Sequence, residues 1–295
     1  MNLIDTHCHV HFRAYRHDMD EVICRSLEKG VKMITIGTQL NTSQKGLEVA
    51  ERYDGVWATV GMHPNHLCAQ NFVDDEELDP SEQQMIYTKG HTFDPANFLP
   101  LAHHPKCVAI GECGLDYVHI PENLDREEVI AKQKETVRQH FDLATEVGLP
   151  VVIHSREAQK DQLAIIKESI AAGKLAQRGV IHCFTGSLEE AQEYLEIGFL
   201  ISFTGIITFP PRKKDLLVDS LSPLQYVVQQ LPLESIMIET DAPYISPEPY
   251  RGKRNEPWQV EFVARKIAEI KKISFEEVCE VTTKNAEKLF GIKVG

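Results

Sequence analysis

Short runs of β-branched and apolar residues recur along the chain and alternate with amphipathic stretches. The candidate strands are Leu3–His7, Met33–Gly37, Val56–Val60, Val108–Glu112, Val151–His154, Val180–His182, Leu200–Phe203 and Ile236–Glu239. Between them the spacing predicts helices over Asp20–Lys29, Ser43–Arg52, Asp125–Val147, Glu157–Ala172, Leu188–Ile197 and Lys214–Gln230. Parallel strands need helical crossovers, and short apolar strands suit a sheet covered on both faces. Eight such units predict an α/β fold, a (β/α)8 TIM barrel, spanning residues 1–295 as a single domain. Two further helices, Val260–Lys271 and Phe275–Phe290, follow the last strand; Ser274, three residues before Glu277, caps the second. A doubly wound open sheet fits less well, because no glycine-rich dinucleotide fingerprint follows an early strand, and no organic cofactor is expected. One stretch breaks the rhythm. Residues 67–104, between the third and fourth strands, are polar and acidic with little periodicity, a connection of the length that forms a functional lid or a flexible insertion.

Composition narrows the setting. Seven scattered cysteines form no CxxC pair, which predicts free thiols rather than a disulfide framework or a structural zinc site. No apolar run approaches the ~20 residues of a membrane span, and no basic-then-apolar leader opens the sequence, so no membrane partner and a cytoplasmic location are expected. The 31 Lys and Arg against 44 Asp and Glu give a net charge of −13, which disfavours non-specific binding to long duplex nucleic acid while permitting a local cationic mouth.

The strand ends carry the chemistry. Strand one ends in "DTHCH", where His7 and His9, two apart, project to one face. Strand three runs into "GMHP" with His63, strand four into "GECGLDY" with Glu112, and strand five into "IHSREA" with His154. Strand six ends "IHCFTG" with His182, and strand eight ends "IETDAPY" with Glu239 and Asp241. A lone histidine at a strand end is usually a hydrogen-bonded structural residue, a lone Glu112 a salt-bridge partner, and a lone Asp241 a turn former. Convergence at one end changes the balance, since barrel active sites sit at the C-terminal strand ends. Imidazoles and carboxylates gathered there need cations to offset their burial, and the mixture suits zinc, manganese, iron or cobalt, or magnesium with added oxygen ligands. His11, His17, His66, His91, His103, His104, His119 and His140 read as surface residues, His66 standing apart because it follows the "MHP" turn. Cys8, Cys113 and Cys183 each neighbour a candidate ligand and read as packing residues facing away.

Together "IDTHCH", "GMHP", "AIGECGLDY", "PVVIHSREA", "HCFTG", "ISFTG", "IETDAPY" and "GKRNEP" resemble the TatD family of metal-dependent deoxyribonucleases, from the amidohydrolase-like barrels. The resemblance runs from Leu3 to about Phe290 and spares only the acidic insertion. It implies two divalent cations (Mg, Mn or Zn) per subunit, one held by His7, His9, Glu112 and Asp241, with Glu112 bridging to a second held by His154 and His182. It also implies hydrolysis of DNA phosphodiesters, as a 3′-to-5′ exonuclease on single-stranded ends. By role, Asp241 orients or deprotonates the attacking water and Glu112 joins it as a catalytic residue. Glu239, on the same face, is grouped with the substrate side, supporting the ligands or holding an additional ion. Arg156, Arg251, Lys253 and Arg254 offer a phosphate grip, His63 a substrate contact, and Phe184, Phe203, Phe209 and Tyr117 either base stacking or core. A binuclear hydrolase of a small ester, amide or aminoacyl bond would use the same metals, and a non-catalytic scaffold would keep the fold. The basic loop after strand eight favours phosphate over a neutral amide, and the intact ligand set disfavours the scaffold.

Overall fold

The computed structural model describes residues 2–73, 85–210 and 221–294. Eight parallel strands, β1 (Leu3–Cys8), β2 (Val31–Ile36), β3 (Val56–Val60), β6 (Cys107–Asp116), β7 (Val151–Arg156), β8 (Gly179–Ile181), β9 (Leu200–Phe203) and β10 (Ile236–Ile238), follow one another in a single sheet in that order. Helices lie between them, and the fold is a TIM barrel. All eight strands fall where the hydrophobic runs put them. The main differences are extensions: β6 continues four residues past Glu112 and β7 two past His154. The chain divides into two compact units, residues 1–10, 18–34 and 182–295, and residues 11–17 and 35–181.

The first unit holds β1, β9 and β10 with helices α1 (Met19–Glu28), α6 (Leu188–Glu196), α7 (Pro223–Gln230), α8 (Val260–Lys271) and α9 (Phe275–Phe290). All six residues of β1 are buried. Beyond β10 the chain bridges Cys8 to Ala242 in parallel. His9 N–H donates to Ala242 C=O at 2.7 Å and Asp241 N–H to His7 C=O at 2.8 Å. The expected helix over Lys214–Gln230 begins only at Pro223, where Ser222 and Gln225 form a capping box and proline takes the first turn. Its expected part over residues 214–220 lies outside the described residues.

The second unit carries β3, β6, β7 and β8 with α2 (Leu40–Arg52), α4 (Arg126–Val147) and α5 (Gln159–Ala171). The insertion holds more regular structure than its composition suggests. Strands β4 (Ala69–Val73) and β5 (Met85–Lys89) pair antiparallel, and α3 (Pro95–Ala102) follows, capped by Asp94. Its acidic run, Asp74, Asp75, Glu76, Glu77 and Asp79, lies outside the described residues. β6 shifts register against both neighbours, between Ala58 and Thr59 on one side and between Ile110 and Cys113 on the other. Such irregularities re-aim a side chain. Glycine makes this one possible: a Cβ on Gly61 would sit 2.6 Å from the Gly111 carbonyl carbon, and one on Gly114, at φ +153, would sit 1.8 Å from the His154 carbonyl oxygen. Among the described residues no helix is long and apolar enough to cross a membrane.

Candidate metal centre

In the first unit, β1 delivers His7 and His9, while the segment after β10 delivers Asp241. His7 Nε2 lies 3.5 Å and His9 Nε2 3.4 Å from Asp241 Oδ1. His182 stacks on His7 with ring centroids 3.9 Å apart. Ligand atoms of His7, His182 and Asp241 all lie within 4.8 Å of one another. Burial alone would raise the Asp241 pKa, but the hydrogen bond from His9 and the charges of His7 and His182 lower it to about 2.

Two buried carboxylates stand behind this group. Glu239 Oε1 accepts from Cys183 N–H at 2.6 Å and from His182 Nδ1 at 3.2 Å, which leaves His182 Nε2 for a ligand. Asp5, fully buried, accepts from Thr240 N–H at 2.8 Å, Thr240 Oγ1–H at 2.5 Å and His7 N–H at 3.3 Å. Burial pushes the Asp5 carboxyl well above the usual carboxylate range. Asn255, from "GKRNEP", completes the frame by donating to the carbonyls of Thr240 and Tyr244.

In the second unit, Glu112 Oε1 lies 3.0 Å from His154 Nδ1 and 3.5 Å from His63 Nε2, and the three residues again offer ligand atoms within 4.8 Å. His154 Nε2 reaches Asp116 Oδ2 at 3.3 Å. Burial would lower the His154 pKa, yet the hydrogen bonds to Asp116 and Glu112 outweigh it and raise the pKa to about 9. His63 goes the other way: burial and the charge of His154 hold it well below its ordinary value. Asp116 is fixed through its backbone by Gln133 of α4, which accepts from its N–H and donates to its C=O, both at 2.9 Å.

Each group combines buried imidazole nitrogens with a carboxylate oxygen, a donor set suited to a divalent cation. By geometry His63 belongs with Glu112 and His154 as closely as any expected ligand. The remaining candidates spread out. Arg156 is exposed; the exposed Arg251 lies over the Phe209 ring at 4.4 Å and Lys253 over Tyr250 at 5.9 Å. Arg254 is instead held by Asp18, at 2.9 Å and 2.5 Å, so it fastens the loop to α1. Phe203 and Phe184 are buried in the core, and Tyr117 O–H donates to Asp161 at 2.7 Å.

Several residues depart from the sequence reading. His11, His66 and His140 are buried rather than on the surface, while His119 is exposed as expected, with its ring bonded to Asp116. His11 Nδ1 meets Thr35 Oγ1 at 2.6 Å, while His140 accepts from Met62 N–H at 3.0 Å and contacts Thr136 C=O at 2.8 Å. A ring nitrogen of His11 and both of His140 thus have protein partners, which makes their burial tolerable. Asp5 and Asp116 were missed, although an acid inside "LIDTH" and another ending "GECGLD" is a signal in itself, because unpaired Asp is rarely fully buried. The three cysteines beside the ligands pack as expected: Cys8 donates to Ile34 C=O at 3.5 Å and Cys113 to Val152 C=O at 3.8 Å, and Cys183 meets Thr204 Oγ1 at 3.8 Å.

A TIM barrel with buried histidine and carboxylate groups at its strand ends defines a metal-dependent hydrolase. The particular family follows from comparison. A model of the TatD related DNase family matches residues 4–291, and the chain belongs to the TatD family. An uncharacterized metal-dependent hydrolase of Bacillus subtilis, YabD, is 39% identical over 98% of this chain and 99% of its own. Human deoxyribonuclease TATDN3 is 32% identical over 98% of this chain and 95% of its own. The crystal structure of YJJV, a TatD homologue from Escherichia coli, superimposes with a TM-score of 0.79 at 27% identity, covering 99% of this chain and 98% of that one.

Proposed function

We propose that this protein hydrolyses DNA phosphodiesters, removing nucleotides from the 3′ ends of single strands in the cytoplasm. The observation that carries the reading is the pair of buried imidazole–carboxylate groups, His7, His182 and Asp241 in one unit and His63, Glu112 and His154 in the other. The name of the human relative supports DNA as substrate. In this reading two divalent cations would be held by residues drawn from His7, His9, His182 and Asp241 of the first unit and Glu112 and His154 of the second. When bound, such cations lower the pKa of water and draw charge from the phosphoryl oxygens.

The chain's own residues do the rest. Asp241, kept ionised by its histidine neighbours, orients the attacking water and takes its proton. Glu239 keeps His182 in one tautomer. Arg251, Lys253 and Arg156, exposed cations on an acidic chain, hold flanking phosphates, and His63 contacts the reacting one.

The test incubates purified protein with end-labelled single- and double-stranded DNA and with a chromogenic carboxylic ester, with and without chelator and re-added Mg, Mn or Zn. The expected result is stepwise 3′ shortening of the single strand, abolished by chelator and restored by metal. Ester cleavage without DNA cleavage would overturn the reading and favour a small-ester hydrolase.

A further inference from the structure

Beyond the metal-facing groups, the second unit contains a histidine–carboxylate pair that the reading above does not use. Asp116 ends β6 with its side chain fully buried. Its Oδ1 accepts from Val118 N–H and His119 N–H, both at 2.9 Å, which folds the chain back on itself. That turn carries the His119 ring onto the same carboxylate, with Nδ1 2.7 Å from Oδ2. His154 Nε2 lies 3.3 Å from the same oxygen, so two imidazoles share one carboxylate oxygen. His154 is half-buried beside Glu112, whereas 42% of the His119 side chain is open to solvent.

The turn is held from outside as well. Gln133 fixes the Asp116 backbone, and Tyr117 N–H donates to Arg156 C=O at 3.0 Å, at the end of β7. Asp116 and Arg156 are register partners. A carboxylate that accepts a hydrogen bond from the Nδ1–H of an imidazole fixes its tautomer and orientation and directs Nε2 away from itself. A histidine that served only to close the turn would not need this, since the two backbone N–H groups already close it.

We propose that His119, backed by Asp116, is the general acid that protonates the leaving oxygen. The inference rests on the phosphodiester reading above. The water oxygen bonds to phosphorus and gives up a proton to base. The P–O3′ bond breaks and its electron pair stays on O3′, which takes the Nε2 proton of the His119 imidazolium and leaves the neutral ring with its Nδ1–H still donated to Asp116. His119 regains a proton from solvent, and the products are a 5′-mononucleotide and a strand with a free 3′-hydroxyl. A sugar alkoxide is a poor leaving group, so this proton has a large effect on rate; positioned acids contribute about 100- to 10,000-fold.

A leaving group that needs no proton separates this role from a structural one. The wild-type protein, His119→Gln and His119→Ala are compared on single-stranded DNA and on the p-nitrophenyl ester of thymidine 5′-monophosphate, whose phenolate departs unprotonated. Metal content and thermal midpoint are measured in parallel. Both variants are expected to lose about 100-fold in kcat on DNA and less than about threefold on the nitrophenyl ester. Equal losses on the two substrates, or no loss on DNA, would overturn the proposal. If the wild-type protein cleaves neither phosphodiester, the phosphodiester reading fails on its own. The same comparison on a p-nitrophenyl and an ethyl carboxylic ester then decides whether His119 protonates a leaving group.

Discussion

His140 Nε2 accepts a hydrogen bond from Met62 N–H at 3.0 Å, which ties the middle of α4 to the turn that presents His63. The ring is fully buried, stacks on Phe93 at 3.7 Å between centroids, and has its pKa lowered to about 4 by burial. Only the neutral ring accepts from Met62. Between about pH 6.5 and 4 the unfolded chain therefore binds more protons than the folded one, and stability falls as the pH falls. It is intact above about pH 6.5, and the loss from this group reaches at most about 3 kcal/mol below its folded pKa. Urea midpoints between pH 7.5 and 4.5 are expected to fall less steeply for His140→Gln, whose amide oxygen can still accept. Identical slopes would show that His140 does not contribute.

Glu112→Ala removes the carboxylate from the His63–His154 group and leaves two imidazoles facing each other, with ring centroids 4.3 Å apart. Bound metal after gel filtration is expected to fall clearly below that of the wild type, and DNA hydrolysis by more than about 100-fold. Full activity in this variant would remove Glu112 from the site.

Asp241→Asn keeps the size of the side chain and removes the base. The expected change is a drop of about 100-fold or more in kcat, with KM for DNA within about threefold of wild type. An unchanged kcat with weakened binding would reassign Asp241 to holding substrate.

Glu239→Gln exchanges the acceptor behind His182 for an amide of similar shape. Loss of such an orienting partner costs about 10- to 100-fold in metal affinity. Competition with a calibrated chelator measures it, and an affinity equal to wild type would make Glu239 a packing residue.

Reversing Arg251 and Lys253 together to Glu is expected to raise KM for DNA about tenfold and to flatten its dependence on salt. Hydrolysis of a small chromogenic phosphodiester should hardly change. Equal loss on both substrates would show that the loop acts through the structure of the site.

The barrel was legible because its strands are dense in β-branched residues and its helices keep their periodicity, so Val56–Val60 and Leu200–Phe203 appear in the fold at their expected bounds. The candidate ligands His7, His9, His182 and Asp241 were legible because they stand at or just past strand ends, where period and polarity change together, whereas Glu112 and His154 lie inside the longer β6 and β7. What stayed hidden was whatever depends on a partner distant in sequence. Asp5 shows its purpose only beside Thr240, and Gln133 only beside Asp116. His140 reads as a polar residue on a helix until Met62 and Phe93 surround it. Arg254 reads as a free cation until Asp18 takes it.

The hydrogen bond from Thr240 N–H to Asp5 spans 235 residues of chain. A ribosome therefore exposes Asp5, His7 and His9 long before it has made the residues that hold them. Throughout that interval the nascent chain carries two imidazoles with neither Asp241 beside them nor Thr240 to fix their strand. The frame that holds the two imidazoles in place is thus completed only after Thr240 and Asp241 have been made, however early their own strand leaves the ribosome.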